Sequence, residues 1–522
     1  MTASHLPPRN GHVPSSASTN GNGAVPGRTG SGDADEPLEG PAPTRGERLV
    51  ALTEPGPLTI RWGLVVIASL VIAGVLTAAL GGAPTYDPWA WIIWGREIIH
   101  GDLVTTAGPS WKPLPMIFTI PFALFGEAAP DLWMWIARAT ALIGIVAVAD
   151  LAARLGGRLA AALAAVAITL MPLYYAYGVQ GSSEGALVLV CCLAATSWMD
   201  ERRTAAFWWL VAAALLRPEA WFFVAVVGIE RLWNSPKRIT WIGASGLVVL
   251  AAWLVPEKIG SGAYLRAATR AHDPNPESAA FAKSPTLEVL GSMGNLMLWL
   301  PLIGVGCALV LGFVAWRRQD AEDGGWAIDR SVLRKALFLS ALAAGWIAIV
   351  AAMTEGGYAG NPRYLAAPLG LMAAVGLAGI AWLVRQLGRS GAASVGELLV
   401  MGALVVMVIV AALRLPGRTE EITYQSANRA QLTSMEHVDG FRKELLACGP
   451  LVAHPLMVPP IAWTFDLHME DVISDEPAPP VATYVLGTNA ASRPVRPKVP
   501  TGVPLDELRR TSQITVVRNC TP

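Results

Sequence analysis

The sequence predicts an all-α polytopic membrane protein that carries a small C-terminal α/β domain. Three observations support that reading. Of 522 residues, 53% are hydrophobic and only 15% charged, with a mean hydropathy of +0.45, which is too apolar for an ordinary soluble chain. Several apolar runs approach the ~20 residues that cross a bilayer as a helix. From about residue 415 the chain turns polar, with Pro and Gly punctuation. The formal net charge is 0, so there is no electrostatic case for nucleic acid. Only seven of the 39 basic residues are lysine, a bias expected of a high-GC bacterial source.

Residues 1–45 are rich in Ser, Gly, Pro, Asn and Thr. They read as a disordered cytoplasmic tail, because they hold too little apolar surface to fold. The first apolar segment comes too late for a signal peptide. Residues 46–414 hold about eleven candidate transmembrane spans: 62–80, 134–152, 159–177, 184–199, 205–216, 219–233, 239–255, 291–315, 335–353, 365–384 and 396–413. Basic residues mark alternate loops, among them Arg61, Arg154, Arg202, Arg238, Arg317, Lys335 and Arg389. All fall on one side if the N-terminus is cytoplasmic. The long loops 81–133 and 256–290 and the C-terminal region then face outward, from a bacterial plasma membrane. Between 205 and 233 the apolar run is broken by Arg217-Pro218-Glu219. Proline favours a break there, so the segment reads as two short helices in a hairpin. Arg217 and Glu219 then sit at the outer side or partway into the membrane, where an ion is costly and faces a cavity.

In 415–522, "SANRAQLTSMEHVDGFRKELLAC" has helical periodicity, and "LVAHP", "ATYVLG" and "ITVVRN" read as strands. Cys448 and Cys520 are the only cysteines of this domain. An exported domain is in an oxidising compartment, so they are expected to pair, the alternative being two free thiols. Cys191, Cys192 and Cys307 lie within spans and read as packing residues. No Cys or His spacing suggests zinc.

The first outer loop reads "YDPWAWIIWGREIIHGDLVTTAGPSWKPLPMIFTIPFALFG". Pro88 to about His100 is expected to form an amphipathic helix on the membrane surface, with Trp89, Trp91 and Trp94 in the interface. Asp87 before Pro88 is a favoured helix cap. A turn at Gly101-Asp102 comes next, then Trp111-Lys112-Pro113 and a second apolar helix to Gly126.

This order of features resembles the GT-C glycosyltransferases, multi-span enzymes that use polyprenyl-phosphate sugars. It is most similar to the branch of protein O-mannosyltransferases and lipid A aminoarabinose transferases, and to actinobacterial envelope enzymes. The matching parts are Asp87, "GREIIHGDLVTT", "WKPLP", "ALFG" and, late in the chain, "GNPRYLAAPLGLMAAVGLA". The resemblance covers roughly 62–400. The family often has two adjacent acids where this chain has Asp87-Pro88, and Pro-Pro where it has Pro-Leu-Pro, which leaves subfamily and acceptor open. The C-terminal domain lies outside the resemblance.

The resemblance implies a GT-C fold and an inverting transfer of a sugar from a polyprenyl phosphate to an envelope glycan, glycolipid or protein. Asp87 is then the general base. Lys112 and Arg363 bind the donor phosphate, Tyr364 adds a hydrogen bond, and Arg217 and Glu219 line the cavity. Each has a plainer reading: Asp87 as a cap, Lys112 snorkelling to headgroups, Arg363 as an interfacial anchor, and Arg217 with Glu219 as a pair. His272 and Glu355, also on outward loops, have nothing to single them out. The acidic run Asp320, Glu322 and Asp323 reads as a solvated loop. No organic cofactor is expected. A lone acid argues against a tight metal site, and a divalent metal requirement stays open. A lipid or glycan flippase and a non-catalytic glycan-binding scaffold are the competing functions; a flippase predicts broken helices in matching halves.

Overall fold

The computed structural model describes residues 42–274, 278–297, 299–318, 328–474, 478–488 and 494–521. The expected tail lies almost wholly outside them, as do Asp320, Glu322 and Asp323. A short helix, α1 (Arg45–Leu52), opens the described chain. Its capping box uses Thr44 Oγ1, which accepts from Glu47 N at 3.3 Å, while Glu47 Oε2 accepts from Thr44 N at 2.7 Å.

The bundle continues through α2 (Trp62–Leu80), α3 (Tyr86–His100), α4 (Pro113–Ala123), α5 (Ala129–Leu170), α6 (Pro172–Val179), α7 (Glu184–Met199), α8 (Arg203–Ala214) and α9 (Ala220–Asn234). Then come α10 (Ile239–Ser261), α11 (Arg266–Ala271), α12 (Pro285–Leu296), α13 (Leu300–Arg318), α14 (Arg330–Glu355), α15 (Ala366–Arg389) and α16 (Ala393–Glu436). Seven helical runs among the described residues are long and apolar enough to cross a membrane, or eight if α6 and α7, bent by 111°, make one broken span. The chain is a multi-pass membrane protein. The sequence count of eleven is higher for two reasons. It divides α5, which does break at Gly156-Gly157, and it includes α8 and α9, which have only 12 and 15 residues.

The break in α5 needs glycine. Gly157 has φ +71°, and a Cβ there would meet the Thr53 and Glu54 backbone at 2.5–2.7 Å. α8 and α9 form the expected hairpin: Arg217 pairs with Glu219 at its tip, and Arg231 Nη2 donates to Thr204 Oγ1 at its open end. α15 is buried along most of its length. Its Gly376 touches the backbone of Pro301 and Gly304 on α13, the close approach that small residues permit between helices in lipid.

The α/β domain is entered on α16 itself. That helix has 44 residues, so the boundary expected at 415 falls inside it. Beyond it lie α17 (Phe441–Leu445) and α18 (Val458–Thr464). The strands are β1 (Leu451–Ala453), β2 (Val472–Ile473), β3 (Ala482–Thr488), β4 (Pro494–Val495), β5 (Asp506–Arg510) and β6 (Ile514–Asn519). The sheet order is β2-β1-β3-β6-β5, with β4 on the end of β3. β1 runs parallel to β2 and β3, whereas β6 is antiparallel to β3 and β5. Cys448 and Cys520 form a disulfide that ties the lead-in to β1 to the exit of β6.

One expectation is overturned. The tryptophans of α3 do not face outward, as a place in the membrane interface requires. Trp89, Trp91 and Trp94 are all buried. Trp91 packs edge-on against Trp133 at 5.5 Å, Trp94 lies 5.3 Å from Trp111, and Trp89 meets Trp463 of α18 at 6.2 Å. The α/β domain packs against the next turn of the helix. Arg96 donates to the carbonyls of Trp463 (3.3 Å) and Leu467 (2.6 Å) and pairs with Asp466 at 3.0 Å. The rings thus serve a protein interface.

Candidate active site

Three local structures bring the site together. The first is the start of α3. Thr85 is its cap residue, without a side-chain cap bond, and Thr85 N donates to Gln180 O at 3.2 Å. Asp87 is therefore inside the first turn and is not the cap. Its carboxylate is directed inward, and the residue is buried.

The second is the loop before α4. Lys112 precedes Pro113, which takes the first helical position because it has no N–H to satisfy there. Trp111 N donates to Glu257 Oε1 at 3.2 Å, Trp111 Nε1 to Ala252 O at 3.0 Å, and Leu114 N to Leu215 O at 3.1 Å. Arg266 donates to the carbonyls of Thr106, Gly108 and Pro109. Lys112 is thereby held inside the protein, buried, and does not snorkel to headgroups.

The third is the turn before α15. Asn361 Oδ1 accepts from Arg363 N at 3.1 Å, and Pro362 opens a single 3-10 turn over Pro362–Leu365. This aims Arg363 back at α3.

The side chains converge. Asp87 Oδ2 lies 2.8 Å from Arg363 Nη1 and 3.7 Å from Lys112 Nζ. Lys112 Nζ also donates to Ser183 Oγ at 3.2 Å and sits 4.9 Å from the Trp91 ring centre. Arg217 grips Glu219 with two bonds of 2.6 and 3.2 Å, and its guanidinium lies 3.9 Å from the Tyr364 ring centre. Tyr364 thus contributes its ring as a cation platform. Asp87, Lys112, Arg217, Arg363 and Tyr364 all line one cavity of about 280 Å³. Glu219 does not line it and stands behind Arg217 as its counter-ion. The remaining walls include Trp221, Trp253, Leu254, Leu265 and Met353, so a cationic end meets an apolar wall.

Charge is balanced unevenly here. Burial works against the charged form of Asp87, but Arg363 and then Lys112 outweigh it and hold the carboxyl below its ordinary value. Burial lowers Lys112 from 10.5 to about 8, although Glu184 and Asp87 pull the other way.

Sequence reasoning missed several parts. Glu184 opens α7, is buried, and its Oε1 has no hydrogen-bond partner among the described residues. A lone acid at the head of an apolar helix was the available signal. His272 does line the cavity, edge-on to Tyr358 at 6.2 Å, whereas Glu355 bonds Thr286 instead. Among the described residues, Glu127, Glu436 and His437 bring metal-ligating atoms close together, all exposed, and none lines the cavity.

No family model and no curated protein matches this sequence. Solved structures do. ArnT from Cupriavidus metallidurans bound to undecaprenyl phosphate is similar at 13% identity and a TM-score of 0.50, over 88% of this chain and 98% of that one. Its apo state is similar at 0.47 over 87% and 97%. An oligosaccharyltransferase from Archaeoglobus fulgidus, at 13% identity, gives 0.39 over 72% and 58%. The fold is that of the GT-C glycosyltransferases.

Proposed function

We propose that the protein is a polyprenyl-phosphate-dependent glycosyltransferase that works with inversion on the extracytoplasmic face of a bacterial plasma membrane, its N-terminus cytoplasmic. The observation that carries this reading is the convergence of Asp87, Lys112 and Arg363 at the cationic end of a cavity with apolar walls. The donor's phosphate takes Lys112, Arg363 and Arg217, and its first prenyl units lie against the tryptophans and aliphatic side chains. The acceptor hydroxyl oxygen attacks the anomeric carbon from the face opposite the phosphate. The C–O bond to phosphate breaks, and its electron pair stays on the phosphate oxygen, where the cations meet the growing charge. The hydroxyl proton passes to Asp87.

A carboxylate held by two cations is a weak base in the free enzyme. Binding of the phosphate changes that, because it competes for the same cations and adds a like charge nearby. Both effects raise the proton affinity of Asp87, so the base is strengthened by the substrate it serves. No organic cofactor enters the reaction. The three cations balance the charge of the phosphate, so transfer should persist in EDTA.

The test is transfer by purified protein against a panel of polyprenyl-phosphate sugars, with Asp87→Asn beside the parent. We expect the variant to insert and to bind polyprenyl phosphate while transfer is lost. Full activity in Asp87→Asn would overturn the assignment.

A further inference from the structure

A second cleft, of about 560 Å³, lies beside the first. One wall is α16 after its apolar part. Glu420, Tyr424 and Asn428 repeat at helical spacing, with Glu421 and Gln425 offset by one, so all five share one helix face. The facing wall is Ala83 to Tyr86 with Trp89, and the α/β domain closes the cleft with Leu456, Met457, Pro460 and Val495. The segment that carries Asp87 is therefore a wall common to both cavities. It is also fixed in place: Gln180 donates to Gln425 at 3.1 Å while its carbonyl receives Thr85 N.

The chemistry of the two cavities differs. The first gathers three cations. The second offers carboxylates, amides and an aromatic ring. Among the described residues that line it, the one arginine, Arg429, is committed to Asp131 by bonds of 2.7 and 3.1 Å. Asn428 is buried, and its Oδ1 has no hydrogen-bond partner among the described residues, so an acceptor awaits a donor such as a hydroxyl. Carboxylates repel a phosphate or a uronate, and lipid would leave the polar groups unpaired. Hydroxyl groups with C–H faces that stack on a ring match all of these groups.

We propose that this cleft binds the acceptor as a neutral saccharide chain and delivers its end to Asp87. The inference rests on the glycosyltransferase reading for the identity of the ligand as acceptor. The saccharide site itself rests on the cleft.

The test uses the full chain in nanodiscs and two readouts. Saturation-transfer NMR with neutral tetrasaccharides of mannose, glucose and arabinofuranose should show binding by at least one. Tyr424→Ala and Asn428→Ala should each weaken it about tenfold, Tyr424→Phe should retain it, and inorganic phosphate should not compete. In the transfer assay, Tyr424→Ala should raise the acceptor KM about tenfold and leave the donor KM unchanged. The cleft assignment falls if no tetrasaccharide binds, or if binding and acceptor KM are the same in variants whose thermal transition is unchanged. Binding through Tyr424 without transfer from any polyprenyl-phosphate sugar would keep the site and remove the transferase reading.

Discussion

The two ends of α3 each bury a carboxylate, and the two are pushed in opposite directions. Asp87, near the N-terminal end, is held below its ordinary value by Arg363 and Lys112 in spite of burial. Glu97, near the C-terminal end, is pushed up by burial, against its bonds to Val104 N and His468. His468 Nδ1 lies 2.8 Å from Glu97 Oε1, but it is part-exposed and carries charge only when protonated. Arg363 is a permanent charge at 2.8 Å. At an effective dielectric of about 20, a full charge at such range is worth ~4 kcal/mol or more, enough to reverse the cost of burial. Burial alone does not mark a working acid. What separates the two is the kind of cation facing each and whether a cavity lies beside it.

The largest test of that contrast is to neutralise each acid in turn. Asp87→Asn should reduce transfer by about 10²–10⁴-fold, whereas Glu97→Gln should leave kcat within a few fold and instead lower stability by about 1–3 kcal/mol. Transfer rates and denaturation curves on both variants decide it. Equal losses of activity would erase the distinction. A smaller effect is set by pH. Lys112 is lowered to about 8, so its positive charge is complete below that value and lost above it. Transfer should decline as pH rises through about 8, through a rising donor KM. Lys112→Arg should remove that alkaline limb, and a limb that survives the substitution would assign it to another group.

The smallest effect belongs to the contact of the α/β domain with α3. The pKa of His468 is raised from 6.5 in the folded chain: burial opposes this, but Glu97 outweighs it. Its contribution is therefore fully present below about pH 6.5 and fades as pH rises through the folded value. Because His468 is part-exposed, the gain is ~1 kcal/mol or less. Limited proteolysis of the domain against pH should show weaker protection at alkaline pH, and His468→Ala should flatten the profile.

Much of the site was legible because its residue types are rare in so apolar a chain. Asp87, Lys112, Arg217 and Arg363 stand out where an ion is costly, and the structure brings all four to one cavity. The two cysteines of the C-terminal domain left a single pairing. The position of α3 was not legible. Three tryptophans beside a span read as membrane anchors, and the partner that makes them a protein contact, Trp463, is far along the chain. The same distance hid the link between His468 and Glu97, which are 371 residues apart. The apolar strands β1, β3 and β6 could be read from composition. Strand β5 could not, because its residues "DELRR" are mostly exposed, and β2 and β4 have two residues each.

Because α16 passes without a linker from the bundle into the α/β domain, the domain's orientation is a matter of helical phase. Each residue added to an α-helix turns the chain beyond it by about 100° and lifts it by about 1.5 Å. A single insertion in α16 would therefore swing the cap away from α3 while every contact within the domain stayed intact. Four inserted residues, a little over one turn, would restore the heading at a raised height. The helix acts as a shaft whose length in residues sets the angle at which the cap meets the membrane part.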